Sequence, residues 1–383
     1  MKDLIFVGDI GGTNSRFSLY DSEDETKSLV YKEYSTQGSA DPGLAYGGFL
    51  RMLDKALVEC LATQDITKDQ EGLRIVCCFA CAGPVKKNVC KFTNVADGLF
   101  EVNGEAICEA FESLIPVAKV VNDFVGMGYG VLTVDVTNDE ECKELNKGDG
   151  IDPVGPIACV GAGTGLGECY LTTTTDRSGY VCFPSEGGHS DYVPRSDLDM
   201  EMLMYIRKKF SKHSSSIDNR ASVERVCSGS GLPNIYEFLA KKFPRRVDKK
   251  VHEEINNAKD MKGKVIAMNA TPGSLCEQVM ECFATTYGAE VGSCAAKFIP
   301  TGGIFLTGGL TPKNMDYIQG TNSPFMKAFL ERGRLSSMME SIPLYAVIPE
   351  DLGVRGAFYI AKRVCHILKF RSFPFMSFNV SCI

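Results

Sequence analysis

No stretch of this 383-residue sequence approaches the ~20 consecutive apolar residues that span a bilayer, so a membrane-embedded protein is not expected. Cationic charge is also in short supply. Lys and Arg number 41 against 48 Asp and Glu, for a net charge of −7 and a pI near 5.4. That balance argues against nucleic acid or an anionic membrane as partner. The basic run Lys241-Lys242-Phe243-Pro244-Arg245-Arg246 reads as a solvated loop or helix end. Histidine is scarce: His189, His213, His252 and His366 lie far apart, and no second CxxC joins Cys78-Phe79-Ala80-Cys81, so a zinc site is not expected. That CxxC lies in an extended apolar stretch instead of at a helix start, the wrong place for redox chemistry. Signal-peptide layout, prenylation box and peroxisomal tripeptide are all missing, and the expectation is a cytoplasmic protein with reduced thiols.

What is present is an ordinary globular composition, 44% hydrophobic and 23% charged. The length exceeds what one hydrophobic core usually serves, which suggests two domains or one lobed domain. Strand-like runs at Leu4–Val7, Ser15–Tyr20, Arg74–Ala80 and Ala118–Val121 alternate with helical stripes over Gly47–Ala62 and Glu105–Leu114, the mark of an α/β lobe. A polar stretch, Thr137–Pro156, reads as a loop. Strands return at Ile157–Gly161 and Cys169–Thr172. Beyond Pro194 the pattern is mostly helical (Leu198–Lys212, Ser222–Cys227, Pro233–Lys242, Ser274–Phe298, Pro324–Arg332), interrupted by strands at Gly303–Leu306 and Pro343–Ile348. A final helix spans Val354–Leu368.

Two glycine-rich segments organise this pattern. Val7-Gly8-Asp9-Ile10-Gly11-Gly12-Thr13-Asn14 is echoed by Val160-Gly161-Ala162-Gly163-Thr164-Gly165-Leu166-Gly167, each flanked by strands. Both read as β-hairpins, and two of them suggest a duplicated fold with a cleft between the copies. Neither ends in the Gly-Lys-Ser/Thr of a Walker motif, and neither fits the dinucleotide fingerprint. Each is a plain tight turn or a phosphate cradle, in which backbone N–H groups converge on an anion with no Cβ in the way. Asp9 in the first turn is an ordinary turn residue or a support for Mg²⁺. Asn122-Asp123 follows an apolar strand at the end where α/β folds place ligands. Asp123 is then either a helix N-cap or a base that takes a hydroxyl proton in phosphoryl transfer. Glu186 and His189 flank two glycines in Ser185-Glu186-Gly187-Gly188-His189, as a structural pair or as ligands to a polyhydroxyl compound. Glu224 stands in the first turn of a short helix, where dipole complementation is its plain explanation.

The ordered series VGDIGGTN, VVNDF, GAGTGLG, SEGGH, SVERVCSGSGL and FLTGGLTPK resembles the group A glucokinases of the actin-like, sugar-kinase and heat-shock ATPase superfamily, from residue 4 to about residue 368. The resemblance implies a duplicated, ribonuclease H-like α/β fold of two lobes, with a cleft between a small α/β lobe (1–133 plus 355–383) and a larger, helix-rich lobe (134–354). It implies a homodimer that uses MgATP to phosphorylate the 6-hydroxyl of glucose, the first step of glycolysis. On that reading Asp123 is the base. Asn94, Asn122, Asp123, Glu186, His189 and Glu224 bind the sugar, and Asp9 supports Mg²⁺, through water. Asp9, Gly12, Thr13, Asn14, Gly163, Thr164, Gly165, Gly308 and Gly309 line the nucleotide site. The related repressor/ORF/kinase (ROK) sugar kinases carry a Cys-rich zinc motif after the Glu-x-x-His element. Here Asp191-Tyr192-Val193-Pro194 follows, and no cysteine appears until Cys227. A sugar sensor on the same fold and a kinase for glucosamine or an N-acetylated hexosamine are the competing expectations.

Overall fold

A computed structural model describes residues 2–23, 28–36, 48–92, 100–177, 179–211 and 220–370. The chain divides into two compact units, one of residues 1–134 and 351–383, the other of residues 135–350.

The first unit is built on a five-stranded sheet. Its elements are β1 (Lys2–Ile10), β2 (Asn14–Asp21), β3 (Val30–Ser35), α1 (Phe49–Ala62), β4 (Leu73–Cys81), the short β5 (Val85–Lys86), β6 (Val89–Lys91) and β7 (Glu101–Asn103), α2 (Gly104–Phe111), β8 (Val117–Asn122) and α3 (Asp123–Val131). The large sheet runs β3-β2-β1-β4-β8, and β5–β7 form a separate small sheet. β1 to β3 pair antiparallel, while β4 and β8 add in parallel beside β1. Leu4, Ile5, Phe6 and Val7 are all fully buried, as a central strand covered on both faces requires. α1 lays Phe49, Met52, Leu53, Ala56, Leu57 and Cys60 on one stripe and packs into the core that holds Leu4, Phe6 and Phe79.

The second unit contains β9 (Cys142–Asn146), β10 (Ile157–Ala162), β11 (Leu166–Thr173), β12 (Tyr180–Ser185), α4 (Asp197–Phe210), α5 (Leu232–Lys242), α6 (Lys249–Asn257), α7 (Lys262–Met268), α8 (Leu275–Phe298), β13 (Ile304–Thr307), α9 (Leu310–Lys313), α10 (Met315–Ile318), α11 (Pro324–Leu330), α12 (Ser336–Ser341) and β14 (Leu344–Val347). Its sheet runs β12-β11-β10-β13-β14-β9. Three antiparallel strands are followed by two parallel ones, as in the first unit, with β9 added antiparallel at the edge. The core gathers around α8, whose Val279, Phe283, Tyr287 and Val291 are fully buried. A last helix, α13 (Leu352–Phe370), belongs to the first unit and packs on β1, β4 and α3.

Two local readings change. The stretch 137–156 is not all loop, because Cys142–Asn146 forms an edge strand on β14. The helix expected over Ser222–Cys227 is a single 3-10 turn, Val223–Arg225. The basic run closes α5, where Lys242 pairs with Glu201 at 2.5 Å and Arg246 bonds Gln278 at 2.6 Å.

Candidate active site

Each unit carries its own set of the expected residues. In the first, β1 and β2 pair as far as Ile10 and Ser15, leaving Gly11, Gly12, Thr13 and Asn14 as the turn. The Gly11 N–H donates to the Asn14 carbonyl (2.9 Å), and Thr13 and Asn14 are exposed at the tip. The turn is braced from β3, where the Thr36 N–H donates to the Thr13 carbonyl (2.7 Å) and the Ser15 and Thr36 hydroxyls meet at 2.8 Å.

Asp9 sits one rung inside this turn, its side chain 22% exposed, with Arg16 at 3.7 Å. Burial pushes its carboxyl above the usual range, and the Arg16 guanidinium offsets part of that. A Cβ on Gly353 would lie 3.2 Å from the Asp9 carboxyl carbon, so the first turn of α13 approaches it closely. A carboxylate held this way is short of compensating positive charge. That donor chemistry fits a water-bound Mg²⁺.

Asn122 and Asp123 end β8 and open α3. Asn122 is the N-cap: its Oδ1 accepts from the Phe124 N–H (3.0 Å) and its Nδ2 donates to the Gly83 carbonyl (3.1 Å). Asp123 is therefore the first residue of the helix and does not serve as its cap. Its Oδ1 also accepts from the Phe124 N–H, at 3.0 Å. α3 is fixed by glycine contacts that admit no side chain. A Cβ on Gly126 would meet Ala80 at 2.7 Å, one on Gly130 the Leu352 carbonyl at 2.3 Å, and one on Gly356 the Gly126 carbonyl at 1.7 Å. α13 thus locks the helix that presents Asp123 and, through Gly353, borders Asp9.

In the second unit β10 and β11 pair as far as Ala162 and Leu166, leaving Gly163, Thr164 and Gly165 as the turn. The Gly163 N–H donates to the Gly165 carbonyl (2.8 Å). Two donors from the next segment hold this turn, Gly229 N–H to Gly163 O (2.8 Å) and Ser230 N–H to Thr164 O (3.3 Å). Gly308 follows β13 with φ +80°, and a Cβ there would lie 2.5 Å from the Ala162 carbonyl, so only glycine serves. Gly309 borders the ion pair of Lys313 and Glu350 (2.8 Å).

The carboxylates and imidazole expected to bind a sugar converge beside the same turn. Glu224 Oε2 accepts from the Leu166 N–H (3.0 Å), and a Cβ on Gly165 would lie 2.5 Å from that oxygen. His189 Nδ1 lies 4.0 Å from Glu224 Oε1, and its Nε2 lies 3.9 Å from Glu186 Oε2. Glu186 and His189 are 73% and 62% exposed, open to a ligand, while Glu224 is only 22% exposed. Their loop is a 3-10 turn, Gly187–His189, anchored by the Gly187 N–H on Ser185 Oγ (3.0 Å) and tied to the Glu224 segment by the Val223 N–H on the Ser190 carbonyl (2.9 Å). Asn94 lies outside the described residues.

Two features of the second unit escaped sequence reasoning. The Ser228–Gly231 clamp carried a signal in its alternating glycines. Glu168, packed under the 186–189 loop, showed only as a charged residue at an inward position between Leu166 and Tyr170.

Comparison with known proteins decides the family. The glucokinase family model matches residues 6–364. The chain belongs to the glucokinase family. A glucokinase of Synechocystis sp. is 36% identical over 291 residues, 73% of this chain and 77% of the relative. Among solved structures, a glucokinase of Balamuthia mandrillaris in complex with glucose has a TM-score of 0.71 at 20% identity, covering 94% of each chain. A ROK family glucokinase of Streptomyces griseus in complex with glucose and AMPPNP has a TM-score of 0.56 at 19% identity, covering 94% of this chain and 99% of that one. Both share the actin-like fold with this glucokinase-family chain. Among the described residues every cysteine is free, and the CxxC runs along β4. No described helix is long and apolar enough to cross a membrane.

Proposed function

We propose that this chain transfers the γ-phosphoryl group of ATP to the 6-hydroxyl of glucose, with Asp123 as the base. The observation that carries the assignment of the base is the division of labour at the start of α3. Asn122 is the N-cap, and the Asp123 carboxylate, whose Oδ1 shares the Phe124 N–H, opens the helix at the carboxyl end of β8, where α/β folds bind ligands and a base can take a hydroxyl proton. Glu186, His189 and Glu224, with Asn122 and Asn94, take the remaining sugar hydroxyls. Two carboxylates, each about 4 Å from the His189 ring between them, suit a polyol better than an anion.

The turns Gly12-Thr13-Asn14 and Gly163-Thr164-Gly165 present amides and hydroxyls to the phosphates, with Gly308 and Gly309 beside the adenosine. Asp9 would hold Mg²⁺ through water. When bound, that ion would neutralise charge on the transferred phosphoryl group. The Streptomyces griseus protein of this fold was solved with glucose and AMPPNP, in keeping with a sugar and a nucleotide bound together. The proposal extends to a cytoplasmic homodimer acting at the head of glycolysis.

The test is glucose-dependent ADP production in a coupled assay, run with Asp123→Ala and across a panel of glucose, glucosamine, mannose and N-acetylglucosamine. Turnover on glucose that collapses in the variant while glucose binding persists is the expected result. Near-normal turnover in Asp123→Ala sinks the base assignment, and a higher kcat/KM on another sugar moves the substrate.

A further inference from the structure

Glu168 is 1% exposed on the inward face of β11. Its carboxylate meets a second one, Glu290 of α8, 9% exposed, and the buried thiol of Cys294 one helical turn further on. One ligand atom from each of the three lies within 4.8 Å of the others. The Tyr170 hydroxyl sits 2.7 Å from Glu168 Oε2 and 3.2 Å from Cys294 Sγ. A phenol has one proton, and the bond to a carboxylate is the stronger claim on it, so the thiol's own proton serves the second contact. That leaves Glu168 Oε1 and Glu290 Oε1, both buried with no partner. Two ionised carboxylates side by side in such a place repel each other and leave both oxygens unsatisfied. One added proton removes a charge and supplies a donor for the other carboxylate's unpaired oxygen.

We propose that Glu168 and Glu290 hold a single proton between them, and that this acid pair positions the 186–189 loop. The proposal rests on the reading of that loop as part of the sugar site. The link is steric: a Cβ on Gly187 would lie 1.9 Å from Glu168 Oε2, so the loop's backbone rests directly on the carboxylate. Charged and titratable groups face the pair from every side. β11 contributes Glu168 and Tyr170, α8 contributes Glu290, Cys294 and Lys297, and the 224–227 segment contributes Glu224 and Cys227. Arg332 approaches after α11, packing on Gly292 and donating to the Ala289 carbonyl.

Burial first, and Glu168 second, push the Glu290 carboxyl up to about 7, against a smaller pull from Lys297 and Arg332. Above that pH a second charge forms, Glu168 is driven off Glu290, and the Gly187 backbone stands in its path. The same three donors also suit a divalent metal, which would take Cys294 as thiolate, and bound metal is the alternative that elemental analysis separates from a shared proton.

The experiment measures KM for glucose and for MgATP from about pH 6 to about pH 8, spanning the Glu290 transition, for the wild-type protein, Glu290→Gln and Glu168→Gln. Infrared spectra report protonated carboxyl groups, and elemental analysis reports bound metal. Wild-type KM for glucose should rise several-fold across this range while KM for MgATP stays flat. Glu290→Gln, whose amide donates at every pH, should keep the low value throughout and lose a protonated-carboxyl band that the wild type shows. Glu168→Gln should lose the same band, which guards against a folding artefact in one variant. A Glu290→Gln profile that tracks the wild type overturns the proposal. So does a stoichiometric metal ion in the wild type that Glu290→Gln lacks. His189→Ala separates the two readings: unchanged glucose KM there defeats the sugar-site assignment, and the infrared band still decides the shared proton.

Discussion

The two units repeat one backbone plan and diverge in what stands at their strand ends. Both have a glycine turn between the central strand and its antiparallel neighbour, and both add two parallel strands on the other side. In the first unit, the last rung but one before the turn pairs Asp9 with Arg16, and the fifth strand runs into Asn122-Asp123. In the second unit, that rung pairs Gly161 with Gly167, and its strand ends carry Gly163, Gly165, Gly308 and Gly309. One copy has kept carboxylates, the groups that accept protons and sit beside metal ions. The other has glycines on either side of Thr164 in its turn, the arrangement that brings amides closest to an anion. Its carboxylates arrive from outside the repeated strands, on the 186–189 and 223–225 turns. Duplication supplied the scaffold, and specialisation lies in which atoms the scaffold leaves bare.

The largest break in this comparison is Asp123→Ala. A positioned base contributes about 10²- to 10⁴-fold, so kcat should fall by that order with glucose affinity retained by calorimetry and the melting temperature nearly unchanged. A matching loss of stability would mean that the carboxylate is structural.

Next in size is Glu290. Its pKa is raised on folding, from 4.5 to about 7, so the folded state holds the proton more tightly. The stability this gives is fully present below about pH 4.5 and is lost as pH rises towards 7, on the order of 3 kcal/mol over that window. Urea titrations should show this decline superimposed on other groups in the wild type and missing from Glu290→Gln. Parallel curves for the two proteins would place the titration elsewhere.

A third test separates two glycines of one turn. A Cβ on Gly165 collides with Glu224, whereas one on Gly163 meets nothing within 4 Å, and neither position has a positive φ. Gly165→Ala should cost about 1–3 kcal/mol and raise KM for glucose by dislodging Glu224. Gly163→Ala should leave stability unchanged, so any rise in KM for ATP marks contact with the nucleotide. Equal stability losses would break the distinction.

The sheet strands were legible wherever burial is continuous, as in Leu4–Val7 or Ile157–Val160, because fully buried strands read as apolar runs. β9 was not, since Cys-Lys-Glu-Leu-Asn at a sheet edge turns much of its surface to solvent and resembles a loop. α6 was missed for the same reason: of Lys249–Asn257 only Ile255 is buried. At the site, glycine spacing found both turns, but two adjacent residues able to cap, Asn122 and Asp123, left the roles open, and in the structure both accept from the Phe124 N–H with Asn122 at the N-cap. Glu168 stood out only as a charge at an inward strand position, because its partner Glu290 is more than a hundred residues away in sequence.

The smallest effect sharpens the comparison most cleanly, because it holds the energy constant and varies only the place. Asn122 caps α3 in the first unit, and Ser274 caps α8 in the second, accepting from the Glu277 N–H at 3.0 Å. Replacing either by alanine removes one cap bond and should cost about 1 kcal/mol in urea unfolding. Only Asn122 also ties the start of its helix to the turn after β4, through the Gly83 carbonyl, and its neighbour is the proposed base. Asn122→Ala should therefore lower kcat well beyond what its stability loss explains, while Ser274→Ala lowers stability alone. If both variants lose stability and neither loses turnover, the start of α3 is no more catalytic than the start of α8, and the contrast between a chemical unit and a cradling unit fails at its central residue.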